Sequence, residues 1–243
     1  MTLLRRHKTI LIALGIYWPV IFLLTHIPVP AIARQSGMSD KTMHMVAYFL
    51  LTFLAWCAIS PYEKVNWRRR KVWGLLAVLV AYGAIDEFLQ GLSFIGRSSD
   101  IIDFGANVLG IFLALGILSL AKFWASLLAV SAICIFVVSN MSRLLLLYPE
   151  LHLGTAFHLG AYTAFALIWI QWLERRRKVT VKNRFWVLYS LSGPLLLLVL
   201  IEGSGLLMHR EIDTIDTATS LFGVFSAVLL SFLMFKITRY RAG

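Results

Sequence analysis

Residues 100–120 read Asp100-Ile-Ile-Asp103-Phe-Gly-Ala-Asn107-Val-Leu-Gly110-Ile-Phe-Leu-Ala-Leu-Gly-Ile-Leu-Ser-Leu120. A helix needs about 20 residues to cross the hydrocarbon core of a bilayer. This stretch has that length, carries no charge after Asp103, and shows none of the strict alternation of a barrel strand. Apolar runs of similar length occupy roughly 9–27, 42–60, 72–92, 123–141, 155–173, 185–207 and 213–235. Backbone in lipid must satisfy its own hydrogen bonds, so these runs predict helices. The fold class is therefore an all-α polytopic membrane protein with about eight transmembrane helices.

Composition agrees. Of 243 residues, 59% are apolar and 14% charged, and the mean hydropathy is +0.79. Soluble domains carry roughly 25% charged residues. A soluble domain, a disordered chain and a disulfide scaffold are all excluded. Cys57 and Cys134 both sit inside apolar runs and predict no structural disulfide.

The net charge of +11 has a topological explanation. With eight spans the two termini share a side, and 18 of the 23 basic residues fall on it, 8 of them in 68–71 and 175–178. The positive-inside rule makes that side cytoplasmic, with both termini there, and leaves no call for nucleic acid as partner. Trp67, Trp73, Trp172 and Trp186 flank the basic loops as an expected aromatic belt. The first run follows Arg5, Arg6 and Lys8 and precedes Ala31-Ile32-Ala33, which resembles a signal-peptide cleavage site. Its length and its counterpart in a repeat favour a retained helix. Pro19 and Pro194 fall within predicted helices and are expected to kink them.

The chain repeats itself. His44 and Tyr48 recur as His158 and Tyr162, 114 residues on. Arg97, Asp100, Asp103 and Gly110 recur as Arg210, Asp213, Asp216 and Gly223, 113 residues on, and Thr25-His26 recurs loosely as Ser139-Asn140. Two four-helix units follow, 1–120 and 121–243. An even helix count makes them a parallel repeat, related by an axis along the membrane normal. The second unit is degraded. It has no match for the pair Asp86-Glu87, none for Gln90, and Ser220 where the first has Asn107.

Ten of the twelve acidic residues map to the side away from the basic loops. Acids contribute little to topology, so this excess asks for another cause. His44 and Tyr48 share a helix face, as do Asp86 and Gln90. On an ideal helix Asp100, Asp103 and Asn107 fall within roughly 60° of one another. These groups predict an outward-facing polar pocket, because ionisable residues within spans usually face a bundle interior or a wet cavity. Candidate catalytic residues are His44 as base or proton relay, Asp86, Glu87, Arg97 as an anion clamp, Asp100 and Asp103. Tyr48, Gln90 and Asn107 are candidate substrate-binding residues. Asp100 and Asp103 suit a hard divalent cation, although no cofactor is evident and the spacing is not a specific motif. The structural alternative makes Asp100 a helix cap, with Glu87 reaching headgroups. His158, Tyr162, Arg210, Asp213 and Asp216 are the second-half counterparts. His26 and His209 read as interface residues at helix ends. A Walker loop, a dinucleotide fingerprint and a Gly-x-Ser-x-Gly elbow are all absent from the sequence.

Asp40-Lys41-x-x-His44-x-x-x-Tyr48, Asp86-Glu87-x-x-Gln90 and Arg97-x-x-Asp100-x-x-Asp103-x-x-x-Asn107-x-x-Gly110 together resemble the VanZ-like family of bacterial membrane proteins. The resemblance is strong over 25–120, and 139–235 resembles a second, decayed unit. It implies a four-helix unit in the bacterial cytoplasmic membrane and a link, through the family's namesake, to resistance against the glycopeptide teicoplanin. It supplies no mechanism. The expected partner is a membrane lipid, glycolipid or lipid-linked cell-wall precursor, either bound or chemically altered. An enzyme acting on a lipid phosphate and a small transporter are the alternatives.

Overall fold

The structure, a computed structural model, describes residues 3–26, 38–61, 63–92, 100–141, 152–177, 179, 181, 184–210 and 212–240. All regular structure among them is helical. The eight helices are α1 (Leu3–His26), α2 (Asp40–Ile59), α3 (Arg70–Gln90), α4 (Ile101–Leu120), α5 (Phe123–Phe136), α6 (Leu153–Trp172), α7 (Trp186–Leu207) and α8 (Thr214–Tyr240). α5 and α6 run on into short π-helical turns, Val137–Met141 and Leu173–Arg177.

Seven helices are long and apolar enough to cross a membrane. The eighth, α1, is a continuous 24-residue helix through Pro19. Among the described residues its apolar stretch includes His7–Leu23. The helix covers the expected 9–27 run as far as His26. α7 likewise continues through Pro194.

The chain divides into two compact units, Met1–Ser126 and Leu127–Gly243, so the boundary falls within the first turn of α5. In the first unit α2 and α4 pack tightest, and glycine is the reason. A side chain at Gly110 would collide with the carbonyl oxygen of Met45 and sit 3.0 Å from the Phe49 nitrogen. Around this contact Tyr48, Leu51, Trp56, Ile111 and Leu115 are buried. α1 is pinned to α2 by two side-chain bonds, Tyr17 donating to the Ala47 carbonyl (3.0 Å) and His7 Nε2 meeting that of Ala58 (2.7 Å).

The second unit repeats the device. A Cβ on Gly223 of α8 would lie 2.7 Å from the Leu159 carbonyl oxygen of α6. Tyr162, Phe165, Ala166, Leu198, Ile201 and Val224 form the core beside it. Trp186 belongs to this interior at 2% exposure, packed with Ile170 and Val228, and so departs from the aromatic belt expected. Trp73, 55% exposed, fits that belt. Cys57 and Cys134 are not joined in a disulfide.

The basic loop 60–71 is knitted as well as charged. Glu63 accepts from Lys71 (2.5 Å) and Arg69 (2.9 Å), and Lys71 also lies over the Trp56 ring, 5.3 Å from its centroid. The Lys71 bond, helped by Arg69, holds the Glu63 carboxyl below the usual carboxylate range.

Candidate functional site

Helix caps place the polar residues. Ser39 caps α2 by accepting from the Thr42 N–H at 3.1 Å, which sets Asp40 and Lys41 in the first turn and His44 one turn further in. Asp100 caps α4, accepting from the Ile102 N–H at 2.8 Å, and puts Asp103 and Asn107 on the buried face. α3 ends at Gln90, so Asp86, Glu87 and Gln90 arrive at the same level.

His44, only 3% exposed, is the centre. Its Nδ1 lies 3.1 Å from Asn107 Oδ1 and 3.4 Å from Glu87 Oε1. Asn107 Nδ2 donates to the same Glu87 oxygen at 3.4 Å. With Asn107 Oδ1 as acceptor, the bond network assigns the proton to Nδ1. Nε2 is then the nitrogen that gains or loses a proton, 3.8 Å from Asp40 Oδ1. Glu87 also accepts from the Asp100 N–H at 3.5 Å. It is 7% exposed, a buried member of the centre rather than a group reaching for headgroups.

Asp86, 1% exposed, forms a second cluster on the side of α1. It accepts from Thr25 Oγ1 and from Gln90 Nε2, each at 3.1 Å, and His26 Nδ1 stands 3.6 Å away. The Tyr48 hydroxyl is buried near Asp86, with the ring packed against Gly83. Asp103 is buried and faces Lys41 Nζ at 3.4 Å. Asp100 sits at the rim of the centre. It is a half-exposed cap bridged to Lys41 at 3.2 Å, and the Ile102 N–H and then Lys41 hold its carboxyl below the usual range. It shares that lysine with Asp103, on whose helix face it was projected, although α4 itself begins at Ile101. Arg97 lies outside the described residues.

The structure thus brings together His44, Tyr48, Asp86, Glu87, Gln90, Asp103 and Asn107. It adds Thr25, His26, Asp40 and Lys41, which were not among the candidates. The recurrence of Thr25-His26 as Ser139-Asn140 and the i,i+4 spacing of Asp40 and His44 were the available signals. Two triads, Asp40–His44–Asp103 and His44–Asp86–Glu87, have ligand atoms mutually within 4.8 Å and can hold a metal ion. This moves the candidate ligand set away from Asp100.

The second unit keeps the frame and changes the charges. His158 Nδ1 meets Ser220 Oγ at 3.0 Å, and its Nε2 faces Asp216 at 3.5 Å. Tyr162 stacks on the His158 ring, with centroids 6.0 Å apart. Asp213 caps α8 through the Ile215 N–H at 2.8 Å. Glu202 lies 3.5 Å from Arg210, whose guanidinium also donates to the Ser139 carbonyl. Arg210 is delivered there by the end of α7: its N–H bonds to the Gly205 carbonyl and the His209 N–H to that of Leu206. His209 takes the left-handed conformation (φ 58°) between them, the Schellman arrangement. Asn140, in the π turn, donates to the Ile201 carbonyl and to Ser204.

No protein-family model, no curated protein and no solved structure matches the chain.

Proposed function

We propose that this is a multi-pass protein of the bacterial cytoplasmic membrane, VanZ-like in its first half. In this reading both termini are cytoplasmic, and the polar centre on the opposite side engages the headgroup of an envelope lipid, glycolipid or lipid-linked cell-wall precursor. The observation that carries the reading is the buried His44–Glu87–Asn107 cluster flanked by Asp86 and Asp103. Burying several carboxylates in a membrane helix bundle is expensive and is characteristically functional. His44, with one nitrogen fixed by Asn107 and the other directed at carboxylates, suits a proton relay. The test is complementation of an envelope phenotype in a deletion strain, with membrane levels checked by blot. His44→Ala and Asp86→Asn should lose function at normal abundance. Retained function in both would defeat the reading.

The two ligand-spaced triads favour a second, more specific reading, a cation-assisted site acting on a lipid phosphate. Asp40, Asp86, Glu87, Asp100 and Asp103 surround Lys41, His26 and His44, and this excess of carboxylates would repel a bare phosphate. A divalent cation held by His44 and carboxylates would bridge the two. Divalent-cation dependence of activity, or a shift in thermal unfolding on adding the cation to chelator-treated protein, tests it. No response to Mg²⁺, Mn²⁺, Ca²⁺ or Zn²⁺ would sink it.

A further inference from the structure

Beside the polar centre of the first unit lies an open groove of about 630 Å³ bounded mainly by Leu11, Leu14, Gly15, Pro19 and Phe22 of α1 and by Tyr82 of α3. Its walls are apolar, and its width comes from an absent side chain. A Cβ at Gly15 would meet nothing within 4 Å. One wall is stiffened by Trp18, set edge-on to Tyr82 with centroids 5.4 Å apart. From Leu11 to Leu23 the groove follows α1 for about 18 Å. One leaflet of hydrocarbon is about 15 Å deep. The groove is therefore as long as a single acyl chain from one leaflet.

At one end the groove reaches the polar centre. The Phe22 ring, part of the lining, stacks on His26 with centroids 4.1 Å apart. His26 Nδ1 is 3.6 Å from Asp86, while its Nε2 is buried with no hydrogen-bond partner among the described residues. A bare hydrocarbon chain would leave that nitrogen unsatisfied, at a cost. A molecule with an apolar tail and a polar head fills the groove and also offers a partner to His26. At the corresponding positions of the second half, Ala132 stands for Trp18 and Leu196 for Tyr82.

We infer that this groove holds one acyl chain of the lipid whose headgroup meets the polar centre. The substrate then reaches His26, Asp86 and His44 sideways from the bilayer. The inference rests on the lipid reading above and names its substrate class, a membrane-resident lipid rather than a soluble headgroup. The experiment uses the full chain in phosphatidylglycerol vesicles containing a minor fraction of the same lipid with a diazirine in one acyl chain. After irradiation the labelled peptides are mapped by mass spectrometry. Label on 11–23 and around Tyr82 should exceed that on the exposed, groove-free α8 residues Phe222, Phe225 and Leu229. Gly15→Leu, which projects into open space, should bring the groove label down to the α8 level with helical content unchanged. Even labelling of the two faces, or a Gly15→Leu protein labelled like the parent, overturns the inference. His44→Ala separates the two claims. Groove label that survives it, alongside complementation that also survives, leaves the groove standing and removes the function assigned to the centre. Complementation lost in His44→Ala with even labelling removes the groove alone.

Discussion

The two halves share a frame and differ in how they balance charge. In each, a histidine on one helix has its Nδ1 bonded to a small polar side chain on another, Asn107 in the first and Ser220 in the second. In each, a glycine three residues further along that second helix lets two backbones meet. Around His44 stand Asp40, Glu87 and, within the same cluster, Asp86 and Asp103. Around His158 the described groups are Asp216 and, nearby, Glu202 with Arg210 bound to it. Gly154 occupies the position that holds Asp40 in the first half, and it packs on Asp216 at 3.1 Å from where its Cβ would be. The comparison teaches that the fold needs only the histidine, its Nδ1 partner, the capping aspartate and the glycine. The remaining carboxylates of the first half go beyond what that frame requires, which is the mark of a site rather than a strut.

The sharpest way to break this comparison is to make the same change in each half. Asp103→Asn and Asp216→Asn remove one charge and keep shape and hydrogen bonding. Asp103→Asn should abolish complementation at normal membrane abundance, and Asp216→Asn should leave it near the parent level. His44→Ala and His158→Ala should divide in the same way. Equal sensitivity of the two halves would mean that the second half is also part of the working machinery. A silent Asp103→Asn would reduce the first-half network to a structural one.

The glycines test the shared frame instead. Gly110→Ala drives a methyl into the Met45 carbonyl oxygen, a backbone atom that cannot rotate away. It should cost about 3 kcal/mol, at the upper end for overpacking in a tight core. Gly223→Ala meets the Leu159 oxygen at 2.7 Å and the Thr163 hydroxyl at 3.0 Å, a milder clash, and should cost about 1–2 kcal/mol. Thermal unfolding in detergent ranks them. A Gly110→Ala protein as stable as the parent would show that α2 and α4 do not pack this closely.

Arg210, the counterpart of Arg97 in the repeat, is the cation beside Glu202 in the second half. Arg210→Gln leaves Glu202, whose side chain is 12% exposed, without its cation. The loss should be about 2 kcal/mol, as for a hydrogen bond to a charged group. The double variant Arg210→Gln/Glu202→Gln should recover most of it, because the buried charge is gone. If the double variant is no more stable than the single one, Arg210 acts through the Ser139 carbonyl rather than through Glu202.

Helix number and type were legible from apolar run length alone, since hydrocarbon thickness fixes both. α1 follows the run read at 9–27 as far as His26. The face shared by Asp86 and Gln90 was legible too, and Gln90 does bond Asp86. What periodicity could not give was the behaviour of residues at helix ends. Asp100 was projected onto the face of Asp103, with which it shares Lys41, but periodicity did not show that its side chain also caps the Ile102 N–H from extended backbone. His26 was read as an interface residue, and Thr25 only as part of a loose repeat, because their partner, Asp86, is 60 and 61 residues away in sequence and reached only through tertiary packing. Trp186 was misplaced for the same reason: proximity to a basic loop says nothing about which way an aromatic side chain turns.

The smallest expected effect concerns the two capping aspartates, which make equivalent bonds. Asp100 accepts from Ile102 and Asp213 from Ile215, both at 2.8 Å. Among the described residues Asp100 has a lysine beside it and Asp213 has none; the lysine is Lys41, whose counterpart in the second half is Thr155. Lys41→Thr makes the first half resemble the second. The Asp100 carboxyl is held below its ordinary range first by the Ile102 N–H and then by Lys41, so the exchange removes part of the depression and leaves the capping bond. A carboxylate with a depressed folded value contributes stability that is complete above its unfolded value, near 3.9, and is lost as pH falls through the folded value. Unfolding temperatures measured from pH 6 down to pH 2.5 should therefore differ most at the upper end, where the Lys41→Thr protein lacks the lysine's share of the stabilisation, and converge as pH falls. Both proteins should lose stability below about 3.9, the parent over the wider pH range. The pair is solvent-exposed, and salt should shrink the difference by screening. Identical acid limbs would mean that Lys41 serves Asp103, at 3.4 Å, rather than Asp100. That would place the lysine with the buried centre, and its replacement should then impair complementation as Asp103→Asn does.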